Sequence, residues 1–132
     1  MKSLRISLII LTLLLITSGC TSSTYEITGY TSSSMNSDIP VPSNAKPLKV
    51  TTNSANTNIH MGLAYELEHI GGEQGLYPPT DYFQKLHDEG WIELEEKRLG
   101  SVHFFKKDDT VIAIEIHEDT FDIYEMKKDA SI

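Results

Sequence analysis

The chain has 132 residues, 11 Lys and Arg against 19 Asp and Glu, and a single cysteine. One cysteine excludes an intramolecular disulfide, so any folded part must be held by its core. The acidic balance repels phosphate backbones and anionic headgroups alike, which sets aside nucleic-acid binding and membrane attachment through a basic patch.

In chain order, Lys2 and Arg5 place positive charge ahead of an apolar run, Ile6 to Ile16, relieved only by Ser7 and Thr12. That is the layout of an export signal. A membrane span needs roughly 20 predominantly apolar residues, and this run stops sooner, at Thr17-Ser18-Gly19-Cys20. Small residues before a cysteine let an extended backbone enter a peptidase site, and the thiol is the nucleophile that can receive a lipid. The segment Ile16-Thr17-Ser18-Gly19-Cys20 resembles the lipobox of bacterial lipoproteins. Thr17 stands where leucine is usual, a change that the looser motif admits. The resemblance covers the first 20 residues. It implies cleavage after Gly19, diacylglyceryl transfer to the Cys20 sulfur, and a membrane-anchored domain on the extracytoplasmic side of a cell envelope. Two or more acyl chains, palmitate among them, hold stably where one binds only marginally. Losing Lys2 and Arg5 with residues 1–19 takes the formal charge from −8 to −10.

Residues 20–38 read as a lipidated, solvated tether. Ten of the eighteen residues from 21 to 38 are Ser or Thr, with no hydrophobic period, and such a chain has an r.m.s. reach of roughly 25 Å. Tyr25 and Tyr30 are given no role in it. The folded part is expected over 39–128, with 129–132 as a tail. Pro40, Pro42 and Pro47 keep Ile39 to Val50 extended and unsuited to a central strand, and Asn53 to Asn58 is a polar loop. Leu63, Tyr65 and Leu67 alternate with polar or small neighbours as in a half-buried strand, which Gly71-Gly72 ends. Pro78-Pro79-Thr80-Asp81 then opens a helix that buries Tyr82, Phe83 and Leu86, and Gly90 closes it.

Four strand-like runs follow: Trp91 to Lys97, Ser101 to Lys106, Val111 to His117 and Thr120 to Met126. Their connections, Leu99-Gly100, Asp108-Asp109 and Glu118-Asp119, are short enough to force an antiparallel meander. The predicted fold is therefore α+β and two-layered, one helix packed on an antiparallel sheet, in the order strand, helix, four-strand meander. The run Tyr82-Phe83, Leu86, Gly90-Trp91 with its meander resembles in pattern the helix-on-sheet modules of other envelope lipoproteins. That likeness carries no function across.

Chemistry-bearing motifs are sparse. The five histidines, His60, His69, His87, His103 and His117, form no His-Glu-x-x-His and no helical pair. His117-Glu118-Asp119 is the densest ligand cluster but falls on the tightest turn, where polar residues are expected without a metal. Gly71-Gly72-Glu73-Gln74-Gly75 precedes a helix as a phosphate cradle would, yet Pro78 and Pro79 delete amide donors and Glu73 has the wrong charge, so it reads as a crossover. Glu95-Glu96 alternate across a strand and cannot converge. No serine elbow is present. Neither a catalyst, a cofactor nor a metal is predicted.

One geometric feature remains. Phe104 and Phe105 are adjacent on a strand and must point to opposite faces, of which the helix covers one. Two-residue turns at Leu99-Gly100 and Asp108-Asp109 place Phe105 inside with Leu94 and Ile112, and pair Glu93 with Lys106. Phe104 is then outside with Ala113, Tyr124 and Met126. This stripe either docks a partner or is covered by Ile39 to Val50. Two functions stay open: a non-catalytic module that holds an envelope protein near the membrane, and a small-ligand or metal-binding lipoprotein that uses its histidines. A flat exposed stripe favours the first, and a pocket gathering two or more histidines the second.

Overall fold

A computed structural model of the chain describes residues 25–132. Cys20 and the expected export signal lie outside the described residues. The strands are β1 (Tyr30–Ser32), β2 (Pro40–Pro42), β3 (Lys46–Thr51), β4 (Ile59–Glu66), β5 (Ile92–Glu93), β6 (Val102–Lys107), β7 (Thr110–Ile116) and β8 (Thr120–Met126). Between β4 and β5 runs α1 (Thr80–Asp88). Six strands form one antiparallel sheet in the order β3-β4-β8-β7-β6-β5, and β1 and β2 form a separate antiparallel ribbon. The protein is α+β, but it is more than strand, helix and meander. The ribbon and the edge strand β3 are additions that the proline-rich segment conceals.

Alternation decides the two faces of the sheet. On one face Leu63, Tyr65, Phe105, Ile112, Ile114, Ile116, Phe121 and Ile123 are buried under α1. The register across β7 and β8 sets Ile116 against Phe121 and Ile114 against Ile123, and across β6 and β7 sets Phe105 against Ile112. From α1, Tyr82 and Leu86 descend one turn apart into this core. The Tyr82 ring meets that of Phe121 at 5.4 Å between centroids, and its hydroxyl donates to Pro40 O at 2.9 Å. Full burial pushes this phenol well above its ordinary pKa.

Helix α1 ends where the sequence places its stop. Gly90 takes φ 93°, its N–H donates to His87 O, and Trp91 N–H donates to Leu86 O. This is the paired closure of a Schellman motif, with Trp91 and Leu86, both buried in the core, at the positions where such a motif places apolar side chains. Upstream, Gly71 is dictated by sterics: a Cβ there would lie 2.0 Å from His117 O. The glycine-rich stretch is thus a crossover packed against the β7–β8 turn, with Gly71 N–H donating to Glu118 O.

Several expectations are corrected. Residues 25–38 are not tether: Tyr25, Ile27, Tyr30 and Met35 pack on the core, and Ser33 is buried with its hydroxyl 3.1 Å from that of Tyr65. Serine and threonine content misleads here because the stretch spends its few apolar side chains efficiently and pairs its backbone in the β1–β2 ribbon. Ile39 and Val41 are buried, but on the α1 side, while Leu48 and Val50 of β3 are exposed. The run from Trp91 is strand only over Ile92–Glu93 before a 3-10 turn at Glu95–Lys97. Its register is one residue off the expected one: Glu93 faces Phe105 and Ile92 faces Lys106. A slip of one reverses every side chain, so Leu94 lies on the far face from α1 and Glu93 turns inward.

Candidate functional site

The stripe named from the sequence exists as a shared face and not as a surface. Phe104 pairs with Ala113, and Ala113 with Tyr124. Phe104, Ala113 and Met126 retain only 7, 5 and 9 % exposure, and Tyr124 is half-buried. The cover is not Ile39 to Val50. It comes from Leu94, Ile59, Ala130 and Ile132, which close over Phe104 and Met126 as a second small core. Asn58 Nδ2 donates to Ser131 O at 3.1 Å, and Lys97 Nζ donates to Ile132 O at 2.7 Å. The segment read as a tail therefore acts as a lid on the far face.

The register shift that displaces Leu94 builds a site on the other side. Glu93, at the end of β5, lies between the Arg98 guanidinium and the His103 imidazole. His103 Nδ1 is 2.8 Å from Glu93 Oε1, and Arg98 Nη2 donates to the same oxygen at 2.7 Å. Burial raises the Glu93 pKa, but the hydrogen bonds from His103 and Arg98 and the Arg98 charge outweigh it, and the carboxyl ends below its ordinary value. An ionised Glu93 accepts the Nδ1–H of His103, which fixes the tautomer and leaves Nε2 as an acceptor.

His103 is 3 % exposed, and among the described residues its Nε2 makes no hydrogen bond. Among the described residues, no side-chain nitrogen or oxygen sealed from solvent lacks a partner, so Nε2 is reached from the cavities that His103 lines. One of these is a cleft of about 550 Å³ between α1 and β5–β6, walled by Phe83, Trp91, Ile92 and Phe105 and carrying His87 at its mouth. The Phe83 ring packs on the His103 ring at 4.8 Å and on Phe105 at 5.0 Å. Trp91 is held in the wall by its Nε1–H donating to Asp38 O at 2.9 Å. The second cavity, about 450 Å³, opens at the end of the sheet between the glycine crossover and β7, where His103 and His117 both contribute.

The arrangement offers aromatic walls around one oriented imidazole, with an ion pair at its edge. It suits holding a small molecule by shape and one or two polar contacts. Sequence reasoning missed Glu93, Arg98 and His103 as a group because the Glu93–Lys106 pairing explained Glu93 away. A polar residue alternating into the buried face, as His103 does next to Phe105, was the available signal.

The histidine cluster of the sequence also regroups. His117 does not meet Glu118 and Asp119. Asp119 instead accepts the backbone N–H of His69 at 2.8 Å, while His117 Nε2 lies 3.2 Å from Asp122 Oδ2 and 3.8 Å from Glu115 Oε1. Among the described residues no helix is long and apolar enough to cross a membrane. No family model, curated protein or solved structure matches this chain.

Proposed function

We propose that the chain is an envelope lipoprotein, anchored through lipid on Cys20, whose domain is a non-catalytic binding module for a small molecule. The anchoring rests on the charge, apolar run and lipobox of residues 1–20 and on Cys20 being the sole cysteine. The binding reading is carried by the cleft: His87 and His103 line one aromatic-walled cavity. The alternative, a partner protein docked on Phe104, Ala113, Tyr124 and Met126, loses support because that face is already occupied by the chain itself.

The test is an NMR titration of the chain with a library of small planar molecules. Trp91 is the only tryptophan, so its indole N–H reports on the cleft without ambiguity. Saturable shifts at Trp91 and at the His103 ring are expected, together with their loss in His87→Tyr, which adds bulk to the cleft without adding a second indole. Binding that shifts neither residue, or that survives the added bulk, would sink the reading.

A further inference from the structure

The sheet face away from α1 carries a constellation separate from the cleft. Glu115 and His117 stand two residues apart along β7 and its end, and so share that face. Asp122, on β8, is the direct cross-strand partner of Glu115. One donor atom from each of the three residues falls within 4.8 Å of the others, with the imidazole Nε2 at 3.2 and 3.8 Å from the two carboxylates. Bonds of about 2.1 Å at tetrahedral angles place nitrogen and oxygen donors roughly 3.4 Å apart around a metal. The side chains are therefore near the spacing that a bound ion imposes.

Electrostatics point to a cation independently of this spacing. Carboxylates directly opposite each other on paired strands repel. No Lys or Arg among the described residues lies within ion-pair distance of Glu115 or Asp122, and the β4 residue facing Asp122 is Ala64. A divalent ion held between the two carboxylates would offset both charges.

We propose that Glu115, His117 and Asp122 bind a borderline first-row divalent cation, zinc in particular. A mixed nitrogen and oxygen donor set selects this class, whereas calcium and magnesium take oxygen ligands. The two strands hold the three ligands on one rigid face. The side chains of Glu115, His117 and Asp122 are 35, 47 and 22 % exposed, which leaves room for water or a second ligand on the metal.

The experiment is calorimetric titration of the full chain in detergent with zinc chloride, and separately with calcium chloride. One saturable zinc site is expected, with affinity falling about tenfold or more in both His117→Ala and Asp122→Asn. It should weaken on acidification, as the imidazole takes up a proton in place of the metal. His60→Ala, an exposed histidine elsewhere, should bind as the parent does. Matching urea unfolding curves for all variants show that the fold is intact. The proposal is overturned by an absence of saturable zinc binding, by calcium binding as tightly as zinc, or by unchanged affinity in His117→Ala.

Discussion

Phe104 and Phe105 follow each other along β6 and are both buried, one under α1 and the other under the segment that closes the far face. Truncating a buried phenylalanine costs about 3–5 kcal/mol. Both Phe104→Ala and Phe105→Ala should therefore lower unfolding free energy by several kcal/mol in urea, Phe104 toward the smaller end because its cluster is smaller. A loss under about 1 kcal/mol at Phe104 would restore it as a surface residue. Gly71 and Gly100 make a second contrast. An added Cβ meets His117 O at Gly71 but nothing within 4 Å at Gly100, where only the φ of 58° resists. Gly71→Ala should be the more destabilising of the two in the same assay, whereas Gly100→Ala should cost about 1 kcal/mol. Glu93 gives a pH signature. Its carboxyl is held below the ordinary value in the folded chain, so the unfolded chain takes up the proton first as pH falls. The contribution of Glu93 is fully present at neutral pH and drains away through and below the ordinary carboxylate range. Unfolding followed from about pH 6 to about pH 3 should show a shallower decline in Glu93→Gln than in the parent.

At the scale of elements, the two ends of the described chain are structural. Tyr25 accepts the N–H of Asp81 at its phenol oxygen, 3.1 Å away, and so satisfies a first-turn amide of α1 that no side chain of the helix itself caps. Tyr30 stacks on Tyr82 at 6.5 Å. A chain begun at Ile39 should be less stable than one begun at Tyr25, and a chain ended at Lys128 should bind a hydrophobic dye as Phe104 and Met126 open. Equal stability of the two starts would return residues 25–38 to the status of linker. The elements with strong local grammar were legible in the sequence: α1 between Pro79 and Gly90, and the β6–β7–β8 meander with its register. What was not legible depended on long-range contacts. No local pattern tells that Tyr25 reaches a helix more than fifty residues away, or that Ala130 and Ile132 cover β6 and β8. The β5 register failed for a related reason. Pairing Glu93 with Lys106 is locally attractive, but a partly exposed pair is worth little. Burying Glu93 against His103 and Arg98, with Leu94 in the far core, outweighs it.

For the whole molecule, Cys20→Ala should leave an uncleaved precursor and abolish incorporation of labelled palmitate. Processing and labelling that persist would remove the anchor. The packing of residues 25–38 also changes what the proposed anchor would do. With lipid on Cys20, five Cα–Cα steps separate the acylated residue from Tyr25, a span of at most roughly 17 Å, less than the reach of a tether running to residue 38. Tyr25 is fastened beside Asp81, and the neighbouring Thr80 lines the aromatic cleft. A lipid at Cys20 would therefore keep the start of α1 and the rim of the cleft close to the bilayer. Such a domain would not sample the compartment as a ball on a string. It would patrol a thin layer above the headgroups in two dimensions, and the molecules it met most often would be those that gather at, or leave, the membrane surface.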